Sequence, residues 1–234
     1  MIYQLFYWPG IQGRGEFVRL ALEEAGAPYV DVAREKNGMP ALMAALEQAE
    51  TPSFAPPFLK AGALTVGQTA NILLYLGERH GLAPPDEAGR LWTHQLQLTI
   101  ADLVGEVHDT HHPIASSLYY EDQKTEAARR AADFLAERVP KYLGYFERLL
   151  RQPDGWLAGP QFTYADLSMF QVIEGLRYAF PHAFRRMAPA WPGLARLRTR
   201  VAARPRIAAY LASPRRIAFN EDGIFRHYPE LDPH

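Results

Sequence analysis

Gln68 and Thr69 open an apolar-striped run eleven residues after the second proline of the Pro56-Pro57 pair. Between them lie two short strand-like segments, residues 58–60 and 64–66, too close for a parallel crossover and so a hairpin. A helix start facing a proline bend presents free N–H groups and the positive dipole end together. That chemistry suits a small carboxylate, with Gln68 and Thr69 as ligands and the Thr69 hydroxyl as N-cap. An ordinary hairpin and helix with a solvent-facing cap would carry the same residues. A second group is His108, His111 and His112. His108 and His112 stand one helical turn apart, but without a clear third ligand they make a weak zinc site, and no metal is assigned. Thr163-Tyr-Ala-Asp166 reads as a capping box, with Phe162 and Leu167 as a hydrophobic staple. Its role is structural, worth roughly 1 kcal/mol.

The elements that must position these residues fall into two sets. Residues 2–8 are β-branched and aromatic and predict a strand, broken by residues 9–13. A helical pattern runs from Gly15 to Gly26, and residues 29–32 predict a second strand, which completes a βαβ unit. A loop and short helix (residues 40–48), the hairpin and the helix stopped at Gly81 complete βαβαββα, a thioredoxin-like order for residues 1–80. Residues 81–88 are a linker by composition. Beyond it strand signals vanish, and helical runs at 87–112, 121–150, 164–179, 193–204 and 205–211 predict an all-α bundle across 89–234. Proline or glycine at Pro113, Gly155, Pro181 and Pro192 separates most of them. The fold class is therefore α/β plus all-α.

Composition narrows the function further. The chain has 234 residues, 48% hydrophobic and 22% charged, ordinary for a globular protein with a full core. A net charge of −1 gives no electrostatic case for nucleic acid or an anionic membrane surface. No apolar run is long enough to span a bilayer, and the start lacks signal-type features, so a cytoplasmic location is expected. With no cysteine, structural disulfides and protein-borne thiol chemistry are excluded. A thioredoxin-like unit without cysteine needs its reactive sulfur from a ligand.

The chain resembles the cytosolic glutathione transferases, closest to the Pi, Mu and Sigma classes. The match runs in order from Leu5 to Pro214: Tyr7-Trp8-Pro9 with Gly13-Arg14; Pro57 with Gln68-Thr69; Phe162-Thr-Tyr-Ala-Asp-Leu-Ser168; Trp191-Pro-Gly-Leu194; and Ala203 to Pro214. The resemblance implies glutathione as co-substrate and a homodimer. It implies conjugation to a small apolar electrophile or reduction of hydroperoxides. A glutathione-dependent isomerase or a non-catalytic binding protein would share the site. Tyr7, the only hydroxyl between Leu5 and Glu16, is then the donor to the thiol, with Arg14 adding positive potential. Trp8, Pro56, a cis Pro57, Gln68 and Thr69 would hold glutathione, the last two its γ-glutamyl carboxylate. Asp102 would reach its amine in the neighbouring subunit, or is a helix-surface charge. His108, His112 and Tyr119 would line the electrophile pocket, or form a surface helix end. Residues 219–234 would cover that pocket or cap the bundle.

Three departures from the family pattern stand out. The turn after Tyr7 is one residue longer, with Gly10 as the insertion, which displaces the hydroxyl. Pro56 lacks the N–H that would pair with the cysteinyl part of glutathione. The positions that clamp the glycine carboxylate fall near Leu42 and Gln48, which cannot ion-pair; Arg34 or Lys36 would substitute, or, on the favoured reading, is a solvated loop charge.

Overall fold

The computed structural model describes residues 1–48, 50–150, 152 and 154–232. The last two residues of the expected tail lie outside that set. Strand β1 (Tyr3–Phe6) leads through a turn into helix α1 (Gly15–Ala25), then strand β2 (Tyr29–Asp31). β1 and β2 pair in parallel, Tyr3 opposite Tyr29 and Leu5 opposite Asp31. Gly26 ends α1 in the left-handed region (φ 62°), its N–H closing on the carbonyls of Glu23 and Leu22, as a glycine cap does. A 3-10 turn (Val32–Arg34) and helix α2 (Gly38–Glu47) follow. Strands β3 (Phe58–Ala61) and β4 (Leu64–Gly67) then form the expected hairpin, and helix α3 (Thr69–His80) closes the unit. β3 runs antiparallel to β1, so the sheet order is β2-β1-β3-β4. This is the thioredoxin-like order.

Alternation along β1 decides what each face buries. Leu5 joins the main core with Phe17, Val18, Leu20 and Ala21 of α1 and Ile72, Leu73 and Leu76 of α3. Phe6 points the other way, into a smaller core with Ala33, Leu42 and Phe58 beneath α2. Leu42, at one of the expected clamp positions, is wholly buried there.

The remaining elements are helical: α4 (Glu87–Asp109), α5 (Lys124–Asp133), α6 (Val139–Leu149), α7 (Tyr164–Ala179), α8 (Pro181–Met187), α9 (Pro192–Ala202) and α10 (Pro205–Leu211). α7 is the axis, buried along nearly its whole length and packed on α4, α9 and α1. Its start is fixed as the sequence predicts. Asp166 accepts from Thr163 N–H at 2.8 Å, from the Thr163 hydroxyl at 2.9 Å and from Leu157 N–H at 2.9 Å. Burial pushes the Asp166 carboxyl up to about 6 against those bonds.

Two expectations are corrected. The run over 121–150 is interrupted by a π-turn at Phe134–Arg138. α8 begins at Pro181, read from sequence as a separator. Proline has no N–H to lose at a first helical position, so it opens the helix there. The next two N–H groups, of His182 and Ala183, are taken by Asp232 at 2.7 and 2.8 Å, which pins the chain end to the bundle. Among the described residues no helix is long and apolar enough to cross a membrane.

Candidate active site

Tyr7 follows the last residue of β1, and its hydroxyl is tucked beneath the turn leading into α1. The phenol oxygen accepts the Arg14 N–H at 2.9 Å. Only glycine allows this approach: a Cβ at Gly13 would stand 2.1 Å from the hydroxyl, and Gly13 has φ +44°. The extra residue at Gly10 is absorbed in this turn. The hydroxyl still meets the backbone of Arg14, but the ring is only 4% exposed. Burial raises the Tyr7 pKa, while the Arg14 N–H and the Arg14 and Arg19 charges oppose the rise. The phenol therefore stays protonated through the neutral range. Among the described residues no acceptor takes its proton.

The turn is braced by charge that the sequence reading missed. Arg19, wholly buried on α1, bonds Asp31 at 2.7 Å and the carbonyls of Ile11 and Gln12 at 3.3 Å each. Glu16, also wholly buried, takes Arg19 at 3.3 Å, the Tyr210 hydroxyl at 2.8 Å, and Arg216. Gln171 donates to Gln12 at 2.7 Å and accepts from Arg216 at 3.0 Å. The segment after α10 is thereby laid across the Tyr7 turn, where Asn220 also donates to the Gly10 carbonyl at 2.8 Å. Of the two alternatives for the tail, covering the site fits residues 216–225 and capping the bundle fits Asp232.

The second part of the site is the start of α3. The Pro56–Pro57 peptide is cis. Pro57 is buried and Pro56 half-buried, just ahead of β3. Gln68 is exposed and holds φ 68°, one of two positive-φ residues other than glycine among those described. A bulky residue held in that region stores strain, which clusters at binding sites. Its carbonyl accepts from Ile72 N–H at 2.9 Å, so Gln68, not Thr69, is the N-cap residue. The expected Thr69 cap is corrected: the Thr69 hydroxyl instead reaches the Arg14 carbonyl at 3.5 Å. Among the described residues no side chain caps this helix, which leaves its first N–H groups open to an anion. Arg14, Thr69, Phe17, Gln97, Ile100, Ala101 and Val104 line a cavity of about 30 Å³ between α1, α3 and α4. Gln97 was not foreseen; it is 2% exposed, and its Oε1 has no partner among the described residues.

The other expected residues are placed as follows. Trp8 is exposed at 37%. Asp102 is exposed on α4, beside Ala101, and makes no ion pair among the described residues. Arg34 is exposed; it donates to the Arg215 carbonyl at 2.7 Å and neighbours Asp31 at 3.8 Å. Lys36 is exposed. His108, His111 and His112 cluster at the end of α4, with the His108 and His112 rings stacked at 4.9 Å. Burial lowers all three pKa values, His111 to about 3, so the rings are neutral at pH 7. After burial, the charge of Arg14 is the next cause that holds the His108 pKa down. Tyr119 is not brought there: its ring is 77% exposed. Its neighbour Tyr120 is buried instead, stacked at 3.8 Å on Tyr228, which meets His111 at 6.4 Å. Among the described residues no group of three or more acidic or histidine side chains is arranged to hold a metal.

Comparison with known proteins bears on this arrangement. A family model described as "Glutathione S-transferase, C-terminal domain" matches residues 108–214. The chain is 27% identical over 220 residues to a glutathione S-transferase P of Bos taurus, covering 91% of this chain and 92% of the relative. It is 24% identical over 177 residues to a glutathione S-transferase of Plasmodium yoelii yoelii, covering 74% and 78%. Among solved structures, prostaglandin synthase D of Nilaparvata lugens superposes with a TM-score of 0.72 at 20% identity, over 92% of this chain and 98% of that one. At that identity the likeness is one of fold.

Proposed function

Because this chain belongs to the glutathione S-transferase family, we propose that it activates the thiol of glutathione through Tyr7 for transfer to a small apolar electrophile. The observation that carries this reading is the one-sided bonding of the phenol. Its oxygen accepts from Arg14 at 2.9 Å while its proton goes unused. A phenol in that state bonds a thiolate more strongly than a thiol and so lowers the thiol pKa. A hydrogen bond to a charged partner is worth roughly 1.5–3 kcal/mol, or about one to two pKa units. From about 8.5 for a free thiol, that leaves a substantial thiolate fraction at neutral pH. Arg14 adds positive potential beside it.

The other residues take roles around that contact. Gln68, Thr69 and the uncapped start of α3 hold the γ-glutamyl carboxylate. The Pro56 carbonyl accepts from the cysteinyl N–H, but proline offers no donor in return, so half of the strand-like pairing is absent. Trp8 flanks the tripeptide, and Asp102 meets its ammonium from a second subunit of a homodimer. His108 and His112 line the electrophile pocket. Hydroperoxide reduction and a cytoplasmic setting belong to the same reading.

A second reading is glutathione binding without catalysis, in an interaction protein. The burial of Tyr7 at 4% exposure favours it, since a sulfur must come within bonding reach of a covered hydroxyl. Tyr7→Phe separates the two. On the transferase reading, turnover falls about 10- to 100-fold, the equivalent of the hydrogen bond lost, while the glutathione Kd by calorimetry moves less than about threefold. An unchanged turnover number removes Tyr7 from the chemistry. Binding without conjugation by the unmodified protein supports the second reading.

A further inference from the structure

Among the described residues, an unpaired cation and an unpaired buried acceptor line one small cavity between α1, α3 and α4. The acceptor is Gln97, 2% exposed, whose Oε1 meets no donor. The cation is Arg14. Its bonds run through the backbone: the N–H reaches the Tyr7 hydroxyl at 2.9 Å, and the carbonyl takes the Thr69 hydroxyl at 3.5 Å. Its exposed guanidinium makes no hydrogen bond or ion pair with any described residue, so the side chain is free to sample many rotamers. The other charges at this turn, Glu16, Arg19, Asp31 and Arg216, already pair with one another. Thr69 is the third polar residue of the cavity, and the rest of its wall is apolar.

We infer that Gln97 is a positioning residue of the transfer reaction, which anchors the Arg14 guanidinium beside the Tyr7 turn through one water seated in this cavity. This rests on the glutathione-transferase reading and adds a residue to it. The cavity, about 30 Å³, is large enough for one water, which needs roughly 10–15 Å³. A guanidinium only donates, so the water accepts from Arg14 and keeps both its protons to give. Gln97 Oε1 takes one and the Thr69 hydroxyl oxygen the other, while Thr69 keeps its own proton on the Arg14 carbonyl. About three bonds are the usual complement of a buried water. Apolar walls strengthen each of them, since no bulk solvent competes. A cation held in this way acts on the bound sulfur as a fixed charge that favours thiolate over thiol. One that swings through solvent is averaged and screened.

The test uses the full chain with glutathione and follows ionisation of the bound thiol against pH by the ultraviolet absorbance of thiolate. Gln97→Met nearly keeps the volume of the side chain and removes the acceptor. It is expected to raise the pKa of the bound thiol by about half a unit, the effect of one partly screened charge. With chlorodinitrobenzene, kcat/KM on the acid side should then fall about threefold, with the whole limb displaced to higher pH. An unchanged thiol pKa overturns the inference, because a packing defect alone lowers activity without moving that titration. In an Arg14→Met background, Gln97→Met should move the pKa no further. A second shift of the same size there means that Gln97 acts without Arg14, which also overturns it. A crystal structure of the unmodified protein with glutathione reads the anchor without substitution. Water is expected within hydrogen-bond reach of both Gln97 Oε1 and Arg14, and a dry cavity overturns the assignment. If the unmodified protein binds no glutathione, the transferase reading fails and this one with it. If it binds and ionises glutathione but Gln97→Met changes nothing, the transferase reading stands and Gln97 has no part in it.

Discussion

Tyr7 and Gln68 mark two ends of the candidate site, linked through Arg14, and they are held by opposite means. The Tyr7 end is enclosed. Arg19 and Glu16 are wholly buried beneath its turn, paired with each other and braced by local carbonyls, by Asp31 and, from distant chain, by Tyr210 and Arg216. The Gln68 end is open. Its residue is exposed, its backbone sits at φ 68°, and no side chain satisfies the helix start behind it. On the proposed reading, the protein surrounds the atom the reaction needs fixed with its own counter-charges, and it leaves N–H groups unsatisfied where the ligand brings the charge. Strain is stored at the open end and buried charge at the closed one.

The contrast breaks most visibly at Glu16. Glu16→Gln leaves Arg216 and one side of Arg19 without the buried carboxylate that faces them. Breaking such a cluster from one side costs about 3–5 kcal/mol. The expected result is an unfolding free energy from urea titration lowered by that amount, with turnover lost alongside as the Tyr7 turn loosens. A stability change under about 1 kcal/mol would mean that the cluster is effectively solvated, and the closed end would then be no more braced than the open one.

How much of this was legible follows the same division. The open end is local: a proline pair, a hairpin and Gln68-Thr69 lie within a dozen or so residues, and their spacing alone suggests an anion site. The Thr163–Asp166 cap was legible for the same reason. The closed end is not local. Glu16 meets Arg216 two hundred residues on, and Gln12 meets Gln171 after 159, pairings that no periodicity announces. Nothing in the neighbourhood of Arg34 points to the Arg215 carbonyl that it engages. Tyr119 and Tyr120 are adjacent in an irregular stretch, where neither helical nor strand period decides which ring turns inward. Thr69 failed as a cap because the positive φ at Gln68 shifts the helix start by one residue.

A middle-sized effect is expected at Gln68. Gln68→Gly removes the Cβ that φ 68° disfavours, so it should raise stability by up to about 1 kcal/mol, offset in part by the greater freedom of glycine in the unfolded chain. Glutathione affinity should fall about 10- to 100-fold as the amide ligand disappears, the worth of one hydrogen bond to a charged group. Thermal melts with and without glutathione measure both at once. A variant more stable and equally tight-binding would take Gln68 out of the site and leave its strain unexplained.

The smallest expected effect is none, and it sharpens the closed end most. Burial sets the folded pKa of Tyr7 above its ordinary 10.0. A group whose folded pKa is raised contributes stability that is intact below the unfolded value and lost only as pH climbs through the folded one. Unmodified protein and Tyr7→Phe should therefore keep a constant difference in urea midpoint from pH 7 to the ordinary tyrosine pKa of about 10. Turnover should likewise show no alkaline limb from Tyr7 in that window, because the donor proton stays in place. Divergence of the two midpoints below that value would place a phenolate, not a phenol, beneath the Gly13 turn. The hydroxyl could then accept from Arg14 but could no longer donate to sulfur.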